Sequence, residues 1–154
     1  MKEAVDDFLA QQRIAVAGVS RSGREAANFV YRKLRGAGYQ VYPVNPAAQE
    51  VEGDACYPDI KSIPDGVDGV VISTPPAVAD QIVRECAAAG IARVWMHRSF
   101  GRGSVSQPAV RFCREHGIAV IPGGCPMMFC APVDFPHKCM RWVLNLTGGL
   151  PKEV

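Results

Sequence analysis

The sequence lacks long hydrophobic runs, and it lacks a strong excess of charge of either sign. Of its 154 residues, 48% are hydrophobic and 21% are charged, and the net charge is +2. None of its apolar stretches approaches the length of a bilayer span, and the acidic start MKEAVDDFLAQQR does not have the pattern of an export signal. We therefore expect a cytoplasmic protein with no membrane association. The small, dispersed positive charge argues against a nucleic-acid partner.

Disulfide bonds and metal sites are also not expected, although the chain has six cysteines. Cys86 and Cys113 fall inside helical patterns beside apolar residues, where a reduced thiol serves as a small core residue. The cysteines near the end of the chain, Cys125, Cys130 and Cys139, do not have the C-x-x-C spacing of a structural zinc site. We therefore predict free thiols and no bound metal.

A helix, a glycine and a β-rich strand follow one another three times along the chain. The three segments are RGAGYQVYPV ending at Val44, AAAGIARVWM ending at Met96, and REHGIAVIPG ending at Gly123. Two further strands are predicted at Arg13 to Gly18 and at Val67 to Ser73, because both are nearly continuous apolar runs. Strands of this kind alternating with helices predict a Rossmann-like, doubly wound parallel sheet in a single three-layer α/β/α domain.

The segments between the strands have helical periodicity, and each presents one apolar face. The three predicted faces are Ala27, Val30, Leu34 and Ala37; Val78, Ile82, Cys86 and Ala89; and Val105, Ala109, Phe112 and Cys113. We also expect a short N-terminal helix, one short strand around Ala55 to Tyr57, and a terminal helix capped by Asp134. The whole chain, 1–154, is predicted to be one domain, with a core at about 13–128 and a helical tail at about 134–148.

The first strand runs into a glycine-bearing turn, GVSRSGREA, that opens a helix at Gly18 to Ala26. Such a turn offers unpaired backbone N–H groups to a phosphate, and Arg21 and Arg24 add positive charge there. The turn matches G-x-G-x-x-G only in part, because Ser20 stands where the second glycine would be. Two other interpretations stay open, namely an ordinary serine-capped turn with solvated arginines and a serine nucleophile at Ser20.

Three other predicted strands end in small, polar and proline residues. These ends are Asn45 and Pro46, Ser73 to Pro76, and His97 to Gly101. Because the carboxyl ends of parallel strands meet at one edge of the sheet, we expect these residues to form the walls of a cleft. No residue set is predicted to be catalytic.

With these strand ends assembled, the sequence resembles small CoA-binding proteins related to the N-terminal domain of the succinyl-CoA synthetase alpha subunit. The likeness covers roughly Ile14 to Met128. It rests on GVSRSG, VYPVNP, CYPDIKSIP, VDGVVIST, ARVWM and the pair Cys125 and Pro126. The synthetase carries its phosphorylated histidine on a second domain that this chain lacks, so ligase activity by this chain alone does not follow.

The resemblance implies coenzyme A as the cofactor, bound across the carboxyl edge of the sheet. The implied contacts are Gly18, Val19, Ser20 and Arg21 in the first loop, Asn45 and Pro46 in the second, Ser73, Thr74 and Pro75 after the fourth strand, and His97 and Arg98 after the fifth. It also places Cys125 near the cleft, where a partly exposed thiol would form a mixed disulfide with CoA under oxidising conditions.

Three functional hypotheses remain open. The first is a CoA or acyl-CoA binding protein that acts as a non-catalytic carrier, a sensor or a subunit awaiting an unknown protein partner. The second is an NAD(P)-dependent oxidoreductase or NAD(P)-binding protein, and the third is an interaction module that has lost its ligand. Asn45 favours CoA over NAD, because an NAD site usually has a carboxylate at that position for the ribose hydroxyls.

Overall fold

A computed structural model of the chain describes residues 1–99 and 101–150. Its main sheet has five parallel strands in the order β2, β1, β5, β6, β7. The strands are β1 (Arg13–Ala17), β2 (Gln40–Val44), β5 (Gly69–Ile72), β6 (Arg93–Met96) and β7 (Ala119–Pro122). All five predicted strands are present in the predicted parallel arrangement, so the doubly wound fold is confirmed.

Helices cover both faces of this sheet. They are α1 (Lys2–Leu9), α2 (Ala26–Gly36), α3 (Pro76–Ala88), α4 (Gln107–Glu115) and α5 (Phe135–Leu146). Apolar side chains of α1, α2 and α5 share one buried cluster, and those of α3 and α4 share a second cluster on the other face. The sheet is therefore the middle of three layers, and apolar side chains cover both of its faces.

The predicted apolar face of α3 is confirmed at Ile82 and Cys86 and is wrong at Val78 and Ala89. The buried residues are Ala79, Ile82, Val83 and Cys86, whereas Val78 is 42% exposed and Ala89 is exposed. Val78 lies in the first turn of α3, beside the carboxyl ends of the strands instead of over the sheet. A small shift also occurs at the end of α2, where Ala37 is exposed because it caps the helix.

A two-stranded hairpin replaces the single short strand that the sequence predicts at Ala55 to Tyr57. Its antiparallel strands are β3 (Glu50–Val51) and β4 (Asp54–Ala55). Tyr57 instead forms an isolated bridge to Val44, which extends the edge of the main sheet. A 3₁₀ turn at Ile60–Ser62 follows, capped by the Asp59 side chain, which accepts from the Ser62 N–H.

The terminal helix α5 begins as predicted, because the Asp134 side chain accepts from the backbone N–H of His137. Leu144 joins the cluster below α1 and α2, while Trp142 lies largely in solvent. Residues 151–154 of the predicted domain lie outside the described residues. In the part of the chain that is described, no helix combines the length and the hydropathy that crossing a bilayer requires.

Candidate functional site

Strand order reverses between β1 and β5. From β1 the chain passes through α2 to β2 on one side, and from β5 it passes through α3 to β6 on the other. Crossover connections that leave in opposite directions open a crevice above the carboxyl ends of the two central strands. Gly18 follows β1 and Ser73 follows β5, so both lie at this crevice.

Gly18 allows the two central loops to come into contact. Its φ of +102° is one that residues with a side chain rarely adopt, and a Cβ atom would overlap the Ser73 carbonyl group. The Gly18 N–H donates to the Val44 carbonyl oxygen at 3.0 Å. The glycine is therefore required by the close approach of the loops, whether or not a ligand is bound.

Asn45 braces the first loop from the end of β2. Its Nδ2 donates to the Val19 carbonyl oxygen at 2.9 Å, and its Oδ1 accepts from the Ala47 N–H at 2.9 Å. Both ends of the amide are thus engaged within the protein. The Val19 side chain is fully buried in the core, so it is not accessible to a ligand.

A second amide, which the sequence analysis did not single out, holds the middle of the loop. Asn28 in α2 is fully buried; its Oδ1 accepts from the Ser20 N–H at 3.0 Å and its Nδ2 donates to the Ser20 carbonyl at 2.7 Å. The same Nδ2 lies 2.6 Å from Glu52 Oε1 in the β3–β4 turn. Burial alone would raise the pKa of Glu52, but hydrogen bonds from Asn28 and Arg32 outweigh it and lower that pKa.

The loop residues predicted to meet a phosphate lie on its outer side. Arg21 and Arg24 are exposed, and the N-cap residue of α2, Glu25, makes no side-chain capping bond. The start of this 11-residue helix therefore has no side-chain cap, and two exposed arginines precede it. Ser20 Oγ bonds to Ser22 Oγ at 3.1 Å, and no histidine within the described ranges is paired with it, which argues against a serine nucleophile.

A cavity of about 500 Å³ opens at the carboxyl ends of β1, β2 and β5, and we call it the edge cavity. Predicted site residues in its lining are Gly18, Asn45, Pro46, Thr74 and Pro75. The other lining residues are Ala17, Val44, Pro58, Asp59, Val78, Gln81, Ile82 and Glu85. Most of these side chains are apolar, and the described lining contains two carboxylates and no cationic group.

Helix α3 supplies a wall of the edge cavity that helical periodicity does not predict. The sequence predicts Val78 and Ile82 as parts of one buried face; both line the cavity, where Ile82 is buried and Val78 is exposed. The available signal was the position of Val78 in the first turn after the Pro75–Pro76 pair, where a helix meets the strand ends. Gln81 and Glu85 lie on the same side of α3 as Val78 and Ile82, and they line the cavity too.

His97 lies deeper, behind Ser73. It is 8% exposed, and its ring nitrogens lie 3.5 Å from Ser73 Oγ and 3.2 Å from Ser99 Oγ. Burial lowers the pKa of the imidazole. The predicted segment His97 to Gly101 includes Phe100, which lies outside the described residues.

Arg98 is turned away from the edge cavity. Its Nη2 donates to the Gly149 carbonyl oxygen at 3.0 Å, and its guanidinium lies against Gly123. Together with Arg102, it borders a second cavity of about 440 Å³ beside the first turns of α3 and α4. The strand-end loops therefore border two recesses, one lined by Pro75 and the other by the adjacent Pro76.

The prediction of a partly exposed Cys125 is wrong. Its side chain is 3% exposed and belongs to the core cluster that includes Met128. Burial raises the pKa of this thiol, which disfavours the reactive thiolate. All six cysteines are free, and Cys139 is the exposed one. No group of three metal-ligating side chains is found among residues 1–99 and 101–150.

Comparison with known proteins supplies a family for this arrangement. A family model described as a CoA binding domain matches residues 12–131. The alpha subunit of ADP-forming acetate–CoA ligase II from Pyrococcus furiosus is 34% identical over 129 residues, which cover 79% of this chain and 28% of that subunit. ADP-forming acetate–CoA ligase II from Archaeoglobus fulgidus is 38% identical over 87 residues, or 55% of this chain and 13% of that enzyme.

Solved structures include chains of similar size. A hypothetical protein from Pyrococcus horikoshii OT3 superimposes with a TM-score of 0.76 and 30% sequence identity. The alignment covers 82% of this chain and 87% of that one. The chain is thus comparable in extent to that protein, whereas it spans less than a third of either ligase.

Proposed function

This chain belongs to the CoA binding domain family, and on that premise we propose that it binds coenzyme A or an acyl-CoA at the carboxyl edge of its parallel sheet. The observation that carries the proposal is the edge cavity, which lies at the reversal of strand order and is lined by residues after β1, β2 and β5. Ligands of open α/β sheets bind at this position.

We assign the base of CoA to the edge cavity. Its walls include Val44, Pro46, Pro75, Val78 and Ile82, whose apolar surfaces suit the faces of a flat aromatic ring. A phosphate is poorly suited to the same space, because Asp59 and Glu85 line it and no cation does so among the described residues. The pKa of Asp59 is lowered by its hydrogen bonds from Ser62, so this carboxyl is ionised and repels an anion.

The phosphates then lie along the first loop. Two exposed arginines, Arg21 and Arg24, and the uncapped start of α2 follow Gly18, which lines the edge cavity. Ser20 is held in this loop by Asn28, so its backbone is fixed before a ligand arrives. A preformed loop costs less ordering entropy on binding.

The pantetheine arm would pass from the edge cavity over the turn before α3. It would run past Thr74 and Pro75 toward Ser73, His97 and Arg98, of which Arg98 borders the second cavity. The arm and any acyl group would occupy this part of the sheet edge.

We propose a binding role without catalysis by this chain alone, as a carrier, a sensor or a subunit of a larger assembly. The matched ligases are much longer than the matched region, and one of them is a named subunit. A protein partner is therefore part of the proposal. The free thiols fit the reducing cytoplasm.

Binding of NAD(P) is the second candidate, since a glycine turn between a strand and a helix also serves dinucleotides. Asn45 argues against NAD, because its amide is engaged with Val19 and Ala47 and supplies no carboxylate for the ribose. Calorimetry with CoA, NAD and NADP at one salt concentration tests the proposal. Tighter binding of CoA is expected. The proposal would be overturned if NAD bound more tightly than CoA, or if NADP bound tightly and CoA binding were undetectable. Native mass spectrometry of the purified protein identifies any retained ligand.

A further inference from the structure

One wall of the edge cavity carries a carboxylate whose position is fixed from two sides. Glu85, in the third turn of α3, accepts at Oε1 from Gln81 Nε2 at 3.0 Å. Its Oε2 accepts a longer bond, 3.4 Å, from the backbone N–H of Ile60. The carboxylate therefore bridges α3 and the 3₁₀ turn at Ile60–Ser62, and its direction is set before a ligand binds.

Both oxygens of Glu85 keep acceptor capacity. Each carboxylate oxygen has two lone-pair sites, and each of these oxygens receives one bond from the protein. A donor that enters the edge cavity beside Glu85 can occupy a remaining site without displacing either partner. Hydrogen bonds to an ionised acceptor are roughly twice as strong as neutral ones.

Each side-chain donor group in the cavity wall already makes one hydrogen bond within the protein. Asn45 Nδ2 donates to the Val19 carbonyl oxygen, and Gln81 Nε2 donates to Glu85 itself. Thr74 Oγ1 points to the Pro75 carbonyl oxygen at 3.4 Å. The lining places two carboxylates, Asp59 and Glu85, beside apolar walls, and this favours a flat ligand that carries N–H donors on its rim.

We propose that Glu85 reads the exocyclic 6-amino group of adenine and is the residue that selects the base. This inference rests on the proposed function, because it takes the adenine of CoA as the occupant of the edge cavity. The amino group would donate to a free lone pair of Glu85, while the ring packs between Val78 and Pro46. A purine without that group makes no hydrogen bond to the carboxylate.

The test compares adenosine 3′,5′-bisphosphate with the 3′,5′-bisphosphate of purine riboside, which lacks only the 6-amino group. Isothermal titration calorimetry of the wild-type protein is expected to show a preference for adenine of roughly ten-fold or more. In Glu85→Leu the preference is expected to fall below about two-fold, mainly through weaker binding of the adenine compound. Glu115→Leu, at an exposed glutamate of α4, is the matched control and should keep the wild-type ratio.

Glu85→Gln gives an independent reading if the leucine variant does not fold. It retains a neutral acceptor, so the preference should shrink by several-fold while thermal melting stays close to wild type. An unchanged ratio in folded Glu85 variants overturns the inference, and so does equal weakening of both ligands, which would indicate contact with the ribose. If the wild-type protein binds no CoA in the same calorimeter, the proposed function itself fails. CoA binding with an unchanged ratio removes only the role of Glu85.

Discussion

Gly18 lies against the carbonyl group of Ser73, so close that a Cβ atom on Gly18 would come within 3.0 Å of the Ser73 carbonyl carbon. This contact joins the loops that follow the two central strands, β1 and β5, at the floor of the edge cavity. The shape of the proposed site therefore depends on a residue without a side chain.

Gly18→Ala is expected to destabilise the protein by about 2 to 4 kcal/mol, because the variant adds the Ser73 overlap to the strain of a positive φ. Gly38→Ala is the matched control, since Gly38 has a φ of +95° and an added Cβ there meets nothing within 4 Å. Strain alone should cost this control roughly 1 to 2 kcal/mol. Equal losses in urea denaturation would show that the contact with Ser73 contributes nothing.

Asn45→Asp is expected to weaken CoA binding roughly ten-fold or more without creating an NAD site. The aspartate cannot donate to the Val19 carbonyl oxygen, which Asn45 Nδ2 reaches at 2.9 Å, so the first loop loses its brace. Calorimetry with CoA and NAD on both proteins measures the effect. A switch of preference to NAD would mean that residue 45 contacts the ribose directly.

Arg21→Ala or Arg24→Ala is expected to weaken CoA binding roughly ten-fold or more, because a charge-assisted phosphate contact is lost. Arg111→Ala, at an exposed position of α4, should leave the affinity unchanged. Added salt should weaken CoA binding by the wild-type protein more than CoA binding by the double variant. The double variant has fewer ionic contacts that salt can screen. Wild-type affinity in both single variants and the double variant would remove the phosphate assignment.

Acidification is expected to reduce stability through His97. Burial holds its folded pKa below the usual 6.5, so the unfolded chain takes up a proton first as the pH falls. The stabilisation of the fold by neutral His97 is complete above pH 6.5 and is lost as the pH drops toward the lowered pKa of the folded state. Three carboxyl groups also lose their stabilising effect on acidification, but only below about pH 3.8, because their folded pKa values are lowered from 3.8. They are Asp7, Asp54 and Asp59.

Urea denaturation between about pH 7.5 and about pH 5.5 isolates the histidine effect. His97→Gln should flatten the decline in stability over this range. His116→Gln, at an exposed histidine, should retain it. A decline of the same size in His97→Gln would assign the pH dependence to other groups.

A thiol reagent such as Ellman's reagent is expected to modify Cys139 rapidly in the folded protein and Cys125 only after unfolding. Cys139 is the exposed cysteine, whereas Cys125 is buried and its pKa is raised by that burial. Cys139→Ser should abolish the rapid phase. Formation of a CoA mixed disulfide at Cys125 in the native protein would contradict the burial.

Much of the fold was predictable because its signals are local. The three repeated helix, glycine and strand segments and two nearly continuous apolar runs indicated the five parallel strands, and the cap at Asp134 indicated the start of α5. The phase of α3 was not predictable in this way. Val78 has the spacing of a core residue, but the strand ends below it leave an opening there instead of a packed surface.

The sequence by itself determined which residues follow the strands, and hence that Gly18, Asn45, Thr74 and Pro75 meet at one edge of the sheet. Only the tertiary structure decided what each side chain does there. It turned the Asn45 amide to Val19, buried Cys125, directed Arg98 to Gly149 and placed Glu85 in the cavity wall. Periodicity is read over a few neighbouring residues, whereas these partners lie far apart in the chain and meet through packing of whole elements.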